Sequence, residues 1–208
     1  MKNIRVHKGD LPDLSNYNVD AIAVDTETMG LHFGRDRLCV VQLSPGNGTV
    51  DIVQVAPDDV PAPNLISLFE NSDIVKIFHY ARFDLGAIAN HFGVMPDNVF
   101  CTKIASRLAR TYTSRHGLKD LCSELLGVQL SKQQQCSDWG SDTLSSAQLE
   151  YAAGDVLYLH KLKEALTEKL KREARYDLAE QCFEFLPTRV ILDLAGWEEQ
   201  DIFSHSLQ

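Results

Sequence analysis

The chain has no apolar run approaching the ~20 residues of a membrane-spanning helix. Its opening, Met1-Lys2-Asn3-Ile4-Arg5, lacks the apolar core of a secretion signal. It shows no internal repeat, no linker and no low-complexity tract. Cysteine is sparse and unpatterned. The five residues, Cys39, Cys101, Cys122, Cys136 and Cys182, are odd in number and scattered, with no CxxC or Cys/His ligand spacing. That argues against a disulfide frame or a zinc site and for reduced thiols in a cytoplasmic protein. Positive charge is also short: 20 Lys and Arg face 29 Asp and Glu, a net charge of −9. Overall charge therefore cannot hold a long nucleic acid. Locally the balance reverses. Between Cys101 and Gln135 six basic residues (Lys103, Arg107, Arg110, Arg115, Lys119, Lys132) face only Asp120 and Glu124. Solvated helix faces explain that excess as well as a substrate path does, and Arg107, Arg110 and Arg115 are expected on exposed helix surface.

The 208 residues suit one domain with a full core, expected to span residues 1–208. Residues 4–7 read as an edge strand and 21–26 as a buried strand. Residues 37–44 and 49–55 read as two more strands, joined by the turn-former Pro45-Gly46-Asn47-Gly48. Three consecutive strands with short connections form an antiparallel meander. A short helix over 64–71, a strand over 73–79, a helix over 82–92 closed by Gly93 and a short strand over 99–102 follow. Helices over 103–110 and 117–126 come next, the second ended by Gly127. Residues 128–143 lack a sustained period and read as a loop. A helix capped by Ser145 is expected to run to about Ala174, and another from Arg175 to Phe185, broken at Pro187. The result is an α/β chain with a mixed sheet flanked by helices and a helical C-terminal third.

The chemistry concentrates where apolar sequence runs into acid. In Ala21-Ile22-Ala23-Val24-Asp25-Thr26-Glu27-Thr28 strand alternation points Asp25 and Glu27 to one face. Two carboxylates there repel each other, and a divalent cation with hard oxygen ligands offsets the repulsion. Alone, these residues fit a solvated loop Asp and a turn-capping Glu equally well. Asp84, in Phe78-His79-Tyr80-Ala81-Arg82-Phe83-Asp84, falls in the first turns of a helix after a buried strand. Tyr151 and Asp155 lie four apart and share a helix face that continues into Leu159. A carboxylate on such an apolar face requires a partner.

In this order D-x-E, H-x-x-x-x-D and Y-x-x-x-D resemble the DEDD superfamily of 3′–5′ exonucleases, Tyr subgroup. The stretch Lys132…Gln135…Ser137-Asp138-Trp139, with Gln148 to Leu159, is similar to the ribonuclease D branch. Asp25 to Leu31, Arg37 to Pro45, Ser131-Lys132-Gln133-Gln134-Gln135 and Phe185-Leu186-Pro187 look most like its compact NrnC-type members, which lack C-terminal nucleic-acid-binding domains.

The resemblance implies a ribonuclease H-like fold and hydrolysis of very short RNA, above all dinucleotides, to nucleoside 5′-monophosphates. It implies ring-like homo-oligomers, in keeping with Trp197 and Phe203 in a terminal segment with few core positions. Asp25, Glu27, Asp84 and Asp155 would hold two Mg²⁺ or Mn²⁺ ions, ~3.5–4 Å apart in such sites. Tyr151 would orient the attacking water, its ordinary pKa of ~10 being high for a base. Leu31 matches the leucine that wedges between the two bases of a dinucleotide, or is a core residue at a turn. His79, beside Tyr80, is either a contact to substrate phosphate or ribose or a satisfied core histidine. Lys132, Gln133, Gln135, Ser137 and Trp139 lie in a loop suited to capping a 5′ phosphate, with packing an equal reading for Trp139. Ribonuclease D-like action on longer RNA, or action on DNA, is the alternative. No membrane partner is expected.

Overall fold

The fold is described from a computed structural model over residues 3–57, 60–131, 133–134 and 136–205. At its centre is β2 (Ala21–Thr28), whose Ile22, Ala23 and Val24 are completely buried. It pairs antiparallel with β3 (Leu38–Ser44), which pairs antiparallel with β4 (Thr49–Gln54). Asn47 tightens the β3–β4 turn by accepting from the Thr49 amide at 3.0 Å. On one side β1 (Asn3–Lys8) lies parallel to β4 at the sheet edge. On the other β5 (Val75–Phe78) runs parallel to β2, and β6 (Val99–Cys101) parallel to β5. The order β1-β4-β3-β2-β5-β6 gives a mixed sheet, as expected. All seven residues of β3 are buried, because helices cover the sheet on both faces and leave no room for alternation.

The helices are α1 (Pro63–Glu70), α2 (Ala81–Phe92), α3 (Thr102–Ala109), α4 (Leu118–Leu126), α5 (Ser146–Leu157), α6 (Leu159–Arg172) and α7 (Tyr176–Leu192). Gly93 and Gly127 close α2 and α4 in the left-handed region that glycine enters freely. None of the helices among the described residues is long and apolar enough to cross a membrane.

Two helix boundaries differ from expectation. The helix opened by Ser145 stops at Leu157 and restarts at Leu159, with Tyr158 at φ −106° and ψ −4° between. Neither Gly nor Pro marks the break. The two segments pack on different partners, α5 on β2, β3 and β4, α6 chiefly on α3. The last helix is not broken by Pro187; it continues to Leu192. Phe183, Leu186 and Val190 are buried on one of its faces, which offsets the hydrogen bond that proline removes.

Arg110 also departs from expectation. It is fully buried, paired with Glu124 and donating to Ser106 Oγ at 2.9 Å and the Arg115 carbonyl at 2.8 Å. Arg115 stays on the surface, paired with Asp120 at 2.6 Å. The two acids of this stretch are thus taken up by Arg110 and Arg115, and Lys103, Arg107, Lys119 and Lys132 carry its basic excess.

Candidate metal centre

Three elements converge at the C-terminal end of β2. The strand presents Asp25 and Glu27 on one face, and a register shift between Glu27 and Thr28 ends the regular pairing just beyond them. The second element is the first turn of α2, which carries Asp84 where the helix dipole favours an anion. Thr26, on the opposite face of β2 from its acidic neighbours, donates to Asp84 Oδ1 at 2.7 Å and fixes that carboxylate. The third is α5, started by a reciprocal cap: the Gln148 amide donates to Ser145 Oγ and the Ser145 amide donates to Gln148 Oε1. One turn onward Tyr151 and Asp155 face the strand. Oxygen atoms of Asp25, Glu27 and Asp155 lie within 4.8 Å of one another. Asp84 is buried beside them.

The electrostatics record the crowding. Burial, followed by the neighbouring carboxylates, pushes Asp25 well above the carboxylate range and Glu27 to about 9. Burial raises Asp84 to about 7 despite its hydrogen bonds, and Asp155 to about 7. Without a cation the cluster therefore holds protons that such groups ordinarily shed. Carboxylate oxygens with no sulfur or imidazole among them match Mg²⁺ or Mn²⁺. The residues present fit a divalent metal centre. The Tyr151 phenol is also raised, by burial first and then by Asp155, Glu27 and Asp25, so it stays protonated and donates.

The other expected residues take different positions. Leu31 is 76% exposed in the loop after β2. Tyr80 is exposed at the start of α2 with φ +69°, a strained value for a non-glycine residue. Burial, then Lys103, lowers His79 to about 3, so it is neutral and cannot meet a phosphate as a cation. Thr102 donates to the Phe78 carbonyl at 3.1 Å and lies 2.9 Å from His79 Nδ1. With the hydroxyl proton so used, Nδ1–H is the donor and Nε2 the acceptor, which suits a ribose hydroxyl. Trp139 is only 3% exposed, its ring 6.0 Å from that of Tyr151, so it packs behind the tyrosine and cannot stack on a base. Ser137 accepts from Gln148 at 3.2 Å, tying its loop to α5. Lys132 and Gln135 lie outside the described residues.

Lys103 was visible in the sequence only as one member of a basic run. Its Nζ lies 4.0 Å from the centroid of the Tyr80 ring, a cation–π contact. Burial, then Arg107, holds its pKa below the usual lysine value. Lys103 and Tyr80 form a basic, aromatic wall beside α2.

A model of a 3′–5′ exonuclease domain matches residues 13–171, well over half of the chain. The chain belongs to the 3′–5′ exonuclease family. Among relatives of this exonuclease, a ribonuclease D of Gluconacetobacter diazotrophicus is 35% identical over 156 residues, 75% of this chain and 39% of that protein. The chain thus spans about two fifths of the length of the first curated relatives it matches. A solved structure of NrnC from Brucella melitensis is 62% identical with a TM-score of 0.96, covering 98% of this chain and 99% of that one. The same Brucella protein has been solved bound to pGG (60% identity, TM-score 0.96) and with bound Mg²⁺ (60%, 0.94).

Proposed function

We propose that this exonuclease hydrolyses very short RNA, dinucleotides above all, from the 3′ end to nucleoside 5′-monophosphates. In this reading two divalent cations are held by Asp25, Glu27, Asp84 and Asp155. The observation that carries it is the convergence of Asp25 and Glu27 of β2 with Asp155 of α5, beside the buried Asp84 of α2. The Brucella relative's pGG and Mg²⁺ support the same substrate and metal.

When bound, such a metal pair activates a water and neutralises charge on the leaving 3′ oxygen. The protein supplies the rest. Thr26 holds Asp84 in place. Tyr151 orients the water by hydrogen bond and, being protonated, does not act as its base. Leu31, exposed after β2, inserts between the two bases, and His79 Nε2 accepts from the terminal ribose. Lys103 and Tyr80 receive a substrate phosphate.

Exposed Leu194, Trp197, Ile202 and Phe203 near the C-terminus, continuous with exposed Phe185 and Ile191 on α7, support assembly with further copies of the chain. Light scattering is expected to give a multiple of the 23.3 kDa chain mass, and a monomer contradicts assembly. The unpaired cysteines suit a cytoplasmic setting.

A substrate-length series with purified protein and Mg²⁺ tests the reading. Two-nucleotide RNA is expected to turn over at least ~10-fold faster than ten-nucleotide RNA, because a loop that caps the 5′ phosphate excludes longer chains. Leu31→Ala is expected to narrow that ratio while leaving stability unchanged. Equal turnover at both lengths points to a ribonuclease D-like substrate instead, and preferred cleavage of DNA overturns the assignment to RNA.

A further inference from the structure

Gln42, on β3, stands directly opposite Asp25 in the β2–β3 register. Directly opposed residues of an antiparallel pair project from the same face with Cβ atoms ~5 Å apart. Gln42 is 0% exposed, and neither its Nε2 nor its Oε1 has a hydrogen-bond partner. Helix α5 packs on β2, β3 and β4 and closes over them with fully buried Ala152 and Ala153. An amide left in this state destabilises the fold, a penalty that a side chain of the same shape without polar atoms avoids.

The metal-facing carboxylates differ in their support. Asp84 accepts from Thr26. Among the described residues neither Asp25 nor Glu27 receives a side-chain donor, and Asp25 accepts only from the Thr26 backbone amide. Carboxylate ligands are themselves normally hydrogen-bonded, and those partners set the ligand's orientation. The buried, unpartnered Gln42 amide therefore lies across the strand from a ligand that no side chain supports.

We propose that Gln42 is a positioning residue for Asp25: its Nε2–H donates to the Asp25 carboxylate when that carboxylate is charged and holding a metal ion. The proposal rests on the metal-centre reading above and concerns how one ligand is oriented within it.

The test is Gln42→Met, of similar volume and without a donor, beside wild type and Asp25→Asn. Mn²⁺ binding is followed by electron paramagnetic resonance, and melting is measured without metal. The expected result is Mn²⁺ affinity weakened ~10–100-fold, a parallel rise in the Mg²⁺ needed for half-maximal activity, and an unchanged KM for RNA at saturating Mg²⁺. The metal-free protein should melt at or above the wild-type temperature. Wild-type Mn²⁺ affinity in Gln42→Met overturns the proposal. So does a Gln42→Met protein that melts far below wild type, which marks the amide as structural. Full activity in Asp25→Asn overturns the metal-centre reading itself, whereas an inactive Asp25→Asn beside a normal Gln42→Met overturns only the role of Gln42.

Discussion

Asp155→Asn is expected to lower turnover of a 5′-labelled dinucleotide by ~10³-fold or more while raising the melting temperature of the metal-free protein at alkaline pH. The catalytic loss follows from the cluster. Asparagine keeps the shape and loses the charge that holds a cation, and removal of a single charge-stabilising group already costs ~10²–10³. The gain in stability follows from burial, which lifts Asp155 to about 7. Above that pH the folded protein must hold the buried anion beside Asp25 and Glu27, and the unfolded chain need not. Asparagine removes this penalty, on the order of 2–4 kcal/mol, or roughly 5–10 °C in a chain of this size. An activity assay paired with a melt taken in EDTA checks both. Lost activity with a lower melting temperature shows the substitution acting through the fold, and retained activity removes Asp155 from the metal centre.

The metal-free wild-type protein is expected to lose stability as pH rises, and Mg²⁺ is expected to reverse the loss. Asp84 and Asp155 are raised to about 7, Glu27 to about 9, and Asp25 well above the carboxylate range, burial being the largest cause for each. Unfolded, all four titrate near 4. Between about pH 4 and pH 9 the folded state therefore binds more protons than the unfolded state, and stability falls with pH across that window. Their contribution is fully present below the unfolded values and is lost as pH passes the folded ones. The loss is expected to reach several kcal/mol, roughly 10 °C in melting temperature. A cation replaces the protons, so the stabilisation by Mg²⁺ grows with pH. Melts in EDTA and in Mg²⁺ across the window measure it. A metal-free stability that stays flat or rises through the window contradicts the crowded cluster.

These acids were legible in the sequence because each lies where local rules are strong. Strand alternation puts Asp25 and Glu27 together, helical spacing puts Tyr151 above Asp155, and the Ser145–Gln148 cap marks where that helix begins. The hairpin at Pro45–Gly48 and the glycine stops at 93 and 127 are equally local. What sequence could not show depends on distant partners. Tyr158 interrupts a helix because its two halves find different surfaces, and Pro187 is tolerated because its neighbours are buried. Arg110 is drawn inward by Ser106, Glu124 and the Arg115 carbonyl. Asp51 reads as a strand polar residue. It is a buried acceptor for Tyr17 at 2.7 Å and Arg5 Nε at 2.7 Å, an ion pair that joins the edge strand to β4. Trp139 could pack or help cap a 5′ phosphate when read alone, and its near-complete burial against the Tyr151 ring follows from distant partners.

Anomalous diffraction at the manganese edge, from crystals grown with Mn²⁺, bears most directly on the cation pair. Two peaks are expected, both within coordinating distance of oxygens from Asp25, Glu27, Asp84 and Asp155. Absence of any peak among these four carboxylates, or manganese bound elsewhere in the chain, would contradict it.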